Sequence, residues 1–476
     1  MDITFIWPNL TEELSWIYPP LGLSYLISMA EKDGYKPRVI DLTFDKNLKQ
    51  LNEIKAAGDL YCFSSSTNMI DKSLEIAKLV KEKDPKGFIV FGGPHPTILP
   101  DEVIMEENVD AIVIGEGEIT FIELVRALDK GTSLSAVNGI WYKENGKIVK
   151  NQARPPIENL DELPFPAQWR FPIKEYFKTR GLRELSIMTA RGCPGNCLFC
   201  QPTLRKIFGS KIRYRNPKSV VDEIEYLVKK IKVDLLVISD DTFTSNDAHV
   251  TQICQQIIDR KIDFFWRCQT RVGLKKETLA LMKKAGCIAA SFGVESGSQT
   301  ILNTIRKGIT IEQVKKTFKE CREIGFLTNA NIMVGNPGET AKTVQETIDL
   351  LREIKPYNVT TTITTPYPGT DLFDFARDNG MLVTRDWKKY NYRKELGCTL
   401  KLDTMSPEEV AAAKKKIDDF FLEYSKSYRK KMLIKSFDLN LAKKLIRISF
   451  KNPGTNARLF RFLAKSMTKE GFSILE

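Results

Sequence analysis

The sequence predicts an α/β protein: two successive parallel sheets, the second curled into a partial barrel, followed by an α-helical extension. Three observations carry that expectation. Short Val/Ile-rich runs alternate with amphipathic stretches from the N-terminus, a second alternating series of six begins near residue 184, and from Ser406 the pattern becomes purely helical.

Taken in order, "ITFIWPN" (3–9) reads as the first strand. The helix "LGLSYLISMAEKDG" (21–34) follows, with Gly34 where a helix-ending glycine belongs. "PRVIDL", "DLYCFSSS", "GFIVFGGP" and "AIVIGEGE" are further strands, separated by helical stretches such as "DKSLEIAKLVKEKD" (71–84). Several end in small or Gly-rich loops: Ser64, Ser65 and Ser66; Gly92-Gly93-Pro94; and Gly115-Glu116-Gly117. Open α/β sheets bind ligands at this carboxyl edge. No loop fits G-x-G-x-x-G or the phosphate-loop pattern, so a nucleotide is not indicated. "NGIWYKENGKIVK" (138–150) reads as a β-hairpin turning at Asn145-Gly146. The stretch 155–172, with five prolines and no periodicity, reads as an interdomain linker.

The second series comprises "LSIMTA", "DLLVISDD", "DFFWRCQT", "CIAASFGVES", "TNANIMVG" and "VTTTITTP", with helices such as "TIEQVKKTFKECREIG" between them. Six βα units in a row predict a partial or full α/β barrel with its chemistry at the C-terminal mouth. Ser406-Pro407-Glu408-Glu409 opens the final helical region as a capping box. Beyond it, "LAKKLIRISF" and "ARLFRFLAKSM" mix apolar and basic residues, a pattern of packed helices or of helices lying on a membrane surface.

Composition narrows the class. Hydrophobic content of 42% and charged content of 28% describe a globular chain, and no apolar run is long enough to span a membrane. "MDITFIWPNL" lacks the basic start of a signal peptide, so a cytoplasmic protein with reduced cysteines is expected. The formal charge of +12 is concentrated near the C-terminus: residues 424–476 hold thirteen Lys or Arg against three acids. An acidic partner, such as phosphate or the inner face of a membrane, is one reading, and a solvated basic face is the other.

Three of the nine cysteines, Cys193, Cys197 and Cys200, fall within "TARGCPGNCLFCQPT" directly after the first barrel strand. A closed structural zinc site takes four ligands, and no fourth Cys or His is near in sequence. Three thiolates suit a [4Fe–4S] cluster with one iron left open. Cys62, Cys254, Cys268, Cys287, Cys321 and Cys398 show no second spacing and read as small buried hydrophobes.

C-x3-C-x2-C, with Phe199 before the last cysteine, resembles the signature of radical S-adenosylmethionine (SAM) enzymes. "SDDTFT", "TRVG", "FGVESGSQ", "NIMVGNPGET" and "PYPGTDLFDFARDNG" look like successive strand-end motifs of the subgroup with an N-terminal cobalamin-binding domain. "YPPLGLSYL", "FSSST", "FGGPHPT" and "VDAIVIGEGE" are similar to that cobalamin domain. The resemblance implies a flavodoxin-like (Rossmann-type) cobalamin-binding domain over 1–135, a hairpin and linker over 136–180, a radical SAM (β/α)6 barrel over 181–400 and a basic helical extension over 401–476. It implies that the open iron holds SAM, whose reductive cleavage gives a 5′-deoxyadenosyl radical. By the same resemblance Asp240 or Asp241 meets the SAM amine and Arg271 its carboxylate. Glu295 meets the ribose, while Gly335 and Tyr367 line the adenine beside Phe199. Leu21, Ser64 to Ser66, Gly92, Gly93, His95 and Gly115 to Gly117 are the expected cobalamin set.

The Asp-x-His-x-x-Gly motif that supplies a lower cobalt ligand is absent. Of the two histidines, His95 ends the fourth strand and is placed near the corrin, while His249 reads as a surface helix residue. The expected activity is methylation of an unactivated carbon on a small, hydrophobic or lipid-like molecule, with an external flavodoxin- or ferredoxin-type electron donor. The alternative is a non-methylating outcome such as oxidative cyclisation. A cobalamin sensor needs no open cluster. A tRNA methylthiotransferase carries a cysteine-bearing N-terminal domain, whereas residues 1–130 here hold only Cys62, so no nucleic acid is expected.

Overall fold

The computed structural model describes residues 1–9, 18–200, 206–390 and 398–436. "LAKKLIRISF" and "ARLFRFLAKSM" lie outside the described residues.

The first sheet contains β1 (Ile3–Trp7), β2 (Arg38–Asp41), β3 (Leu60–Ser64), β4 (Phe88–Gly92) and β5 (Ala111–Val113) in the order 2-1-3-4-5, all parallel. This is the flavodoxin-like doubly wound order, whose strands are apolar on both faces because helices cover both. Phe5 packs on the side of the helices Leu21–Lys32 and Glu118–Lys130, while Ile6, next in sequence, packs on the side of Ile70–Lys83. The hairpin forms β6 (Ile140–Glu144) and β7 (Lys147–Lys150), with Asn145 and Gly146 both at positive φ. It was expected to lie between the domains. Instead β6 pairs antiparallel with β5, so the hairpin extends the first sheet.

The barrel strands are β8 (Glu184–Ile187), β11 (Leu235–Ile238), β12 (Phe265–Thr270), β13 (Cys287–Glu295), β14 (Leu327–Val334) and β15 (Asn358–Ile363). They form one parallel six-stranded sheet in sequence order, an open barrel. A short ribbon of β9 (Ala190–Arg191) and β10 (Arg213–Tyr214) brackets the cysteine loop. The lower lumen is closed by polar groups: Glu184 accepts from Arg267 at 2.9 Å and Arg180 at 2.8 Å, and Arg267 donates to the Tyr18 hydroxyl at 2.7 Å. The helix Pro407–Ser425, capped by Ser406 and Glu409 as expected, lies against β14 and β15.

The proline-rich stretch binds both domains. Ala167 N–H donates to Ser24 O, Ser28 donates to Phe165 O, and the Gln168 amide exchanges bonds with both backbone groups of Ser186. A buried ion network crosses the same boundary. Glu116 at the end of the first sheet accepts from Arg191 (3.0 Å) and Arg213 (2.8 and 2.9 Å), and Glu118 pairs with Arg191. Arg191 sits two residues before Cys193, so the network ties the 115–117 loop of the first sheet to the cysteine loop.

Candidate active site

At the barrel mouth, Cys193, Cys197 and Cys200 open onto one cavity of about 440 Å3. Gly192 makes the turn into this loop: its φ is +100°, and a Cβ there would lie 2.5 Å from the Lys211 carbonyl. All three thiols are free. Among the described residues no three His, Cys, Asp or Glu side chains converge tightly enough to chelate one ion. A Cβ on Gly195 would lie 3.4 Å from Cys193 Sγ and 3.8 Å from Cys197 Sγ, so the two sulfurs face one space; thiolates are the ligands of iron–sulfur clusters. Burial, and then the neighbouring Cys197 and Cys193, push the Cys200 thiol up to about 12. Such a thiol ionises when metal supplies positive charge.

The structure places the two candidate aspartates differently. Asp240 is buried away from the cavity and accepts from Thr189 N–H (2.6 Å), the Thr189 hydroxyl and Ala190 N–H (3.2 Å), holding the end of β8. Asp241 lines the cavity, and burial, then the adjacent Asp240, push its carboxyl up to about 7. Arg271, Glu295, Phe199 and Tyr367 line it as well. Glu295 ends β13 at φ +65°. Gly335 does not line the cavity: its N–H is taken by Glu339 (2.6 Å), and a Cβ there would lie 3.0 Å from Val410 of the C-terminal helix. Strand alternation turns Asn331 and Met333 of β14 inward in its place.

Lys307 has no counterpart in the sequence reading. Its ammonium pairs with Glu295 at 2.6 Å, its carbonyl accepts from Arg271, and it lies 5.8 Å from the Phe199 ring centre. Both partners of the pair are only 9% exposed. No local pattern marks it, because a loop lysine enters a site only through the chain's path. Gln269, Ser291 and Thr362 were also unmarked, although polar residues inside apolar strands are a usable signal. Two cations and two anions around the thiols suit a zwitterion beside a metal group.

At the first sheet's carboxyl edge, Leu21, Ser64, Ser66, Gly92, Gly93, Gly115 and Gly117 are half-buried. Gly115 has open space on its Cβ side and a φ of +84°, the left-handed region that glycine enters freely. Three expected members are committed elsewhere. Ser65 is buried against Ser73, and Glu116 sits in the ion network, where Arg213 and Arg191 outweigh burial and hold its carboxyl low. His95 is wholly buried, edge-on to Trp387 at 5.6 Å between ring centres, with Nδ1 3.3 Å from Thr67 Oγ1. Burial lowers its pKa to about 4. Trp387, which follows the last barrel strand, packs over the imidazole. His249 is also buried rather than on the surface, bonding the Arg215 carbonyl at 2.8 Å. Of the six other cysteines, five are buried and Cys398 is half-exposed.

The sequence matches the B12 binding domain over residues 10–125 and the Radical SAM superfamily over residues 187–351. An uncharacterized methyltransferase of Pyrococcus horikoshii is 35% identical over 425 residues, covering 88% of this chain and 89% of the relative. This chain belongs to the cobalamin-binding radical SAM enzymes. The anaerobic magnesium-protoporphyrin IX monomethyl ester cyclase of Rubrivivax gelatinosus is 33% identical, covering 82% of this chain and 72% of that one. Two solved structures share the fold. TsrM, a radical SAM methyltransferase from Kitasatospora setae with cobalamin and a [4Fe–4S] cluster, has a TM-score of 0.69 at 20% identity over 80% of this chain and 76% of its own. The cobalamin-dependent radical enzyme OxsB has 0.70 at 19%, over 99% and 74%. The cofactors of this radical SAM enzyme are accordingly a [4Fe–4S] cluster, SAM and cobalamin. Among the described residues no helix is long and apolar enough to cross a membrane.

Proposed function

We propose that the protein is a C-methyltransferase that places a methyl group on an unactivated carbon of a small molecule. The single observation carrying this reading is the close relation, along most of both chains, to the Pyrococcus methyltransferase. The bound cofactors supply radical hydrogen abstraction and the transferable methyl group; the chain supplies positions and charges. Cys193, Cys197 and Cys200 hold three irons. Asp241 receives the SAM amine and Arg271 its carboxylate, while Lys307 orients the Glu295 carboxylate toward the ribose hydroxyls through their 2.6 Å pair. Asp240 shapes the loop without touching SAM. The seven half-buried residues at the first sheet's edge carry the cobalamin. Electrons come from an external flavodoxin- or ferredoxin-type donor.

The lining supports a substrate with hydrogen-bonding groups: Gln269, Ser291, Asn331, Thr362 and Thr365 share the wall with Met333 and Ile363. A purely lipid-like substrate gains no support from it. Oxidative cyclisation is the second reading, favoured by the 33% identity to the Rubrivivax cyclase. Anaerobic reconstitution with cobalamin, then incubation with methyl-labelled SAM and a reductant, separates them. Release of S-adenosylhomocysteine together with 5′-deoxyadenosine is expected; 5′-deoxyadenosine without S-adenosylhomocysteine would select the cyclase reading.

A further inference from the structure

A second cavity, of about 350 Å3, lies on the outer wall of the barrel between the helices Ile311–Ile324 and Arg429–Ser436. Lys319, Arg322, Lys431 and Lys435 line it, with Tyr428 and Met432. The one acid in the lining, Glu323, is already held by Lys276 from the neighbouring helix. None of the four cations forms an ion pair among the described residues. Arg322 is half-buried and anchored by donating to the Ile354 carbonyl. Four like charges around one cavity repel one another and attract a counter-anion. Between the cations the walls are apolar: the Tyr428 ring, whose hydroxyl is fixed on Pro356 O at 2.8 Å, Met432 and the lysine stems. Ile434 on the same helix is 64% exposed.

We propose that this cavity docks the phosphate headgroup of an anionic lipid, seating the bottom of the barrel on a membrane surface. A cationic rim over apolar walls fits an amphiphile better than a free ion. Residues 437–476 add eight Lys or Arg against three acids, a further excess of positive charge in the sequence that follows this helix. The cavity lies where the helix Ile311–Ile324 runs into the start of β14, the end of the barrel opposite the cysteines. Docking there leaves the mouth facing solvent. The site therefore anchors the enzyme rather than feeding it substrate, and the proposal stands apart from the reaction class.

Sedimentation of the full-length, iron-loaded chain with phosphatidylcholine vesicles, with and without phosphatidylglycerol, tests this. Binding only to the anionic vesicles, weakened by salt, is expected. Each basic residue near such a surface contributes roughly 1 kcal/mol, about fivefold. The triple variant Lys319→Glu/Lys431→Glu/Lys435→Glu should therefore lose more than tenfold in affinity while keeping its circular dichroism and iron content. The single exposed change Lys431→Gln, with a smaller loss, covers the case in which the triple variant misfolds. Undiminished binding by these variants would assign the attraction to residues 437–476 and overturn the proposal. Equal binding to neutral vesicles would do so as well. Saturable stabilisation by inorganic phosphate without vesicle binding would identify a free-anion site and overturn the lipid assignment.

Discussion

Lys307 concentrates the cavity's electrostatics in one side chain: its ammonium neutralises Glu295, and its backbone steadies Arg271. Removing one partner of a buried pair leaves an uncompensated charge, at a cost of about 3–5 kcal/mol. Lys307→Met is expected to lower unfolding stability by about that amount and to weaken SAM binding, with Lys307→Arg restoring part of both. Denaturant titration and calorimetric SAM binding check this, and wild-type values in both would remove the positioning role. His95 gives a pH prediction. The folded imidazole takes its proton near 4, whereas the unfolded one does so near 6.5. Between those values the unfolded chain binds more protons, so this contribution is complete above the upper value and is lost as pH falls toward the lower. It amounts to about 3 kcal/mol. Stability measured at several pH values should fall less steeply toward acid in His95→Phe than in the wild type. Parallel slopes would mean that the imidazole is not shielded. Neither residue's role was legible beforehand: Lys307 is one of many loop lysines, and the burial of His95 depends on Trp387, nearly three hundred residues away.

At the scale of elements, the cysteine loop depends on its entry turn. Gly192 adopts a conformation that disfavours side chains and passes the Lys211 carbonyl too closely for a Cβ. Gly192→Ala should cost on the order of 1–3 kcal/mol locally and displace the thiols, so iron per chain after reconstitution should drop. Full iron loading would show that the loop adapts. The barrel strands were readable because parallel strands buried on both faces leave continuous apolar runs in the sequence. The hairpin's own turn was readable too, through Asn145-Gly146. Its attachment to β5 was not, because register between distant strands is set by shared burial rather than by local pattern.

Across the whole molecule, the Glu116–Arg191–Arg213–Glu118 network makes the two sheets one mechanical unit around the active-site loop. Arg191→Met leaves the buried Glu118 without its partner, while Glu116 keeps Arg213, and should cost about 3–5 kcal/mol. Calorimetry should then resolve separate transitions for the two sheets where the wild type gives one. A single, unshifted transition would show that the proline-rich stretch alone couples them.

The fold class, the two sheets in order, the three-cysteine loop at the barrel mouth and most of the charged groups around it were readable from the order of residues alone. The fold and the loop follow from local periodicity and residue chemistry, which survive in any context; the charged groups follow from the resemblance of the strand-end motifs. Folding in three dimensions settles which of Asp240 and Asp241 faces the cavity, that Lys307 enters it, that Gly335 packs on Val410, and that His95 and Glu116 are committed to burial and to an ion network. Each depends on contacts between segments far apart in the chain, where strand register and the close packing of helices leave room for one side chain and none for its neighbour.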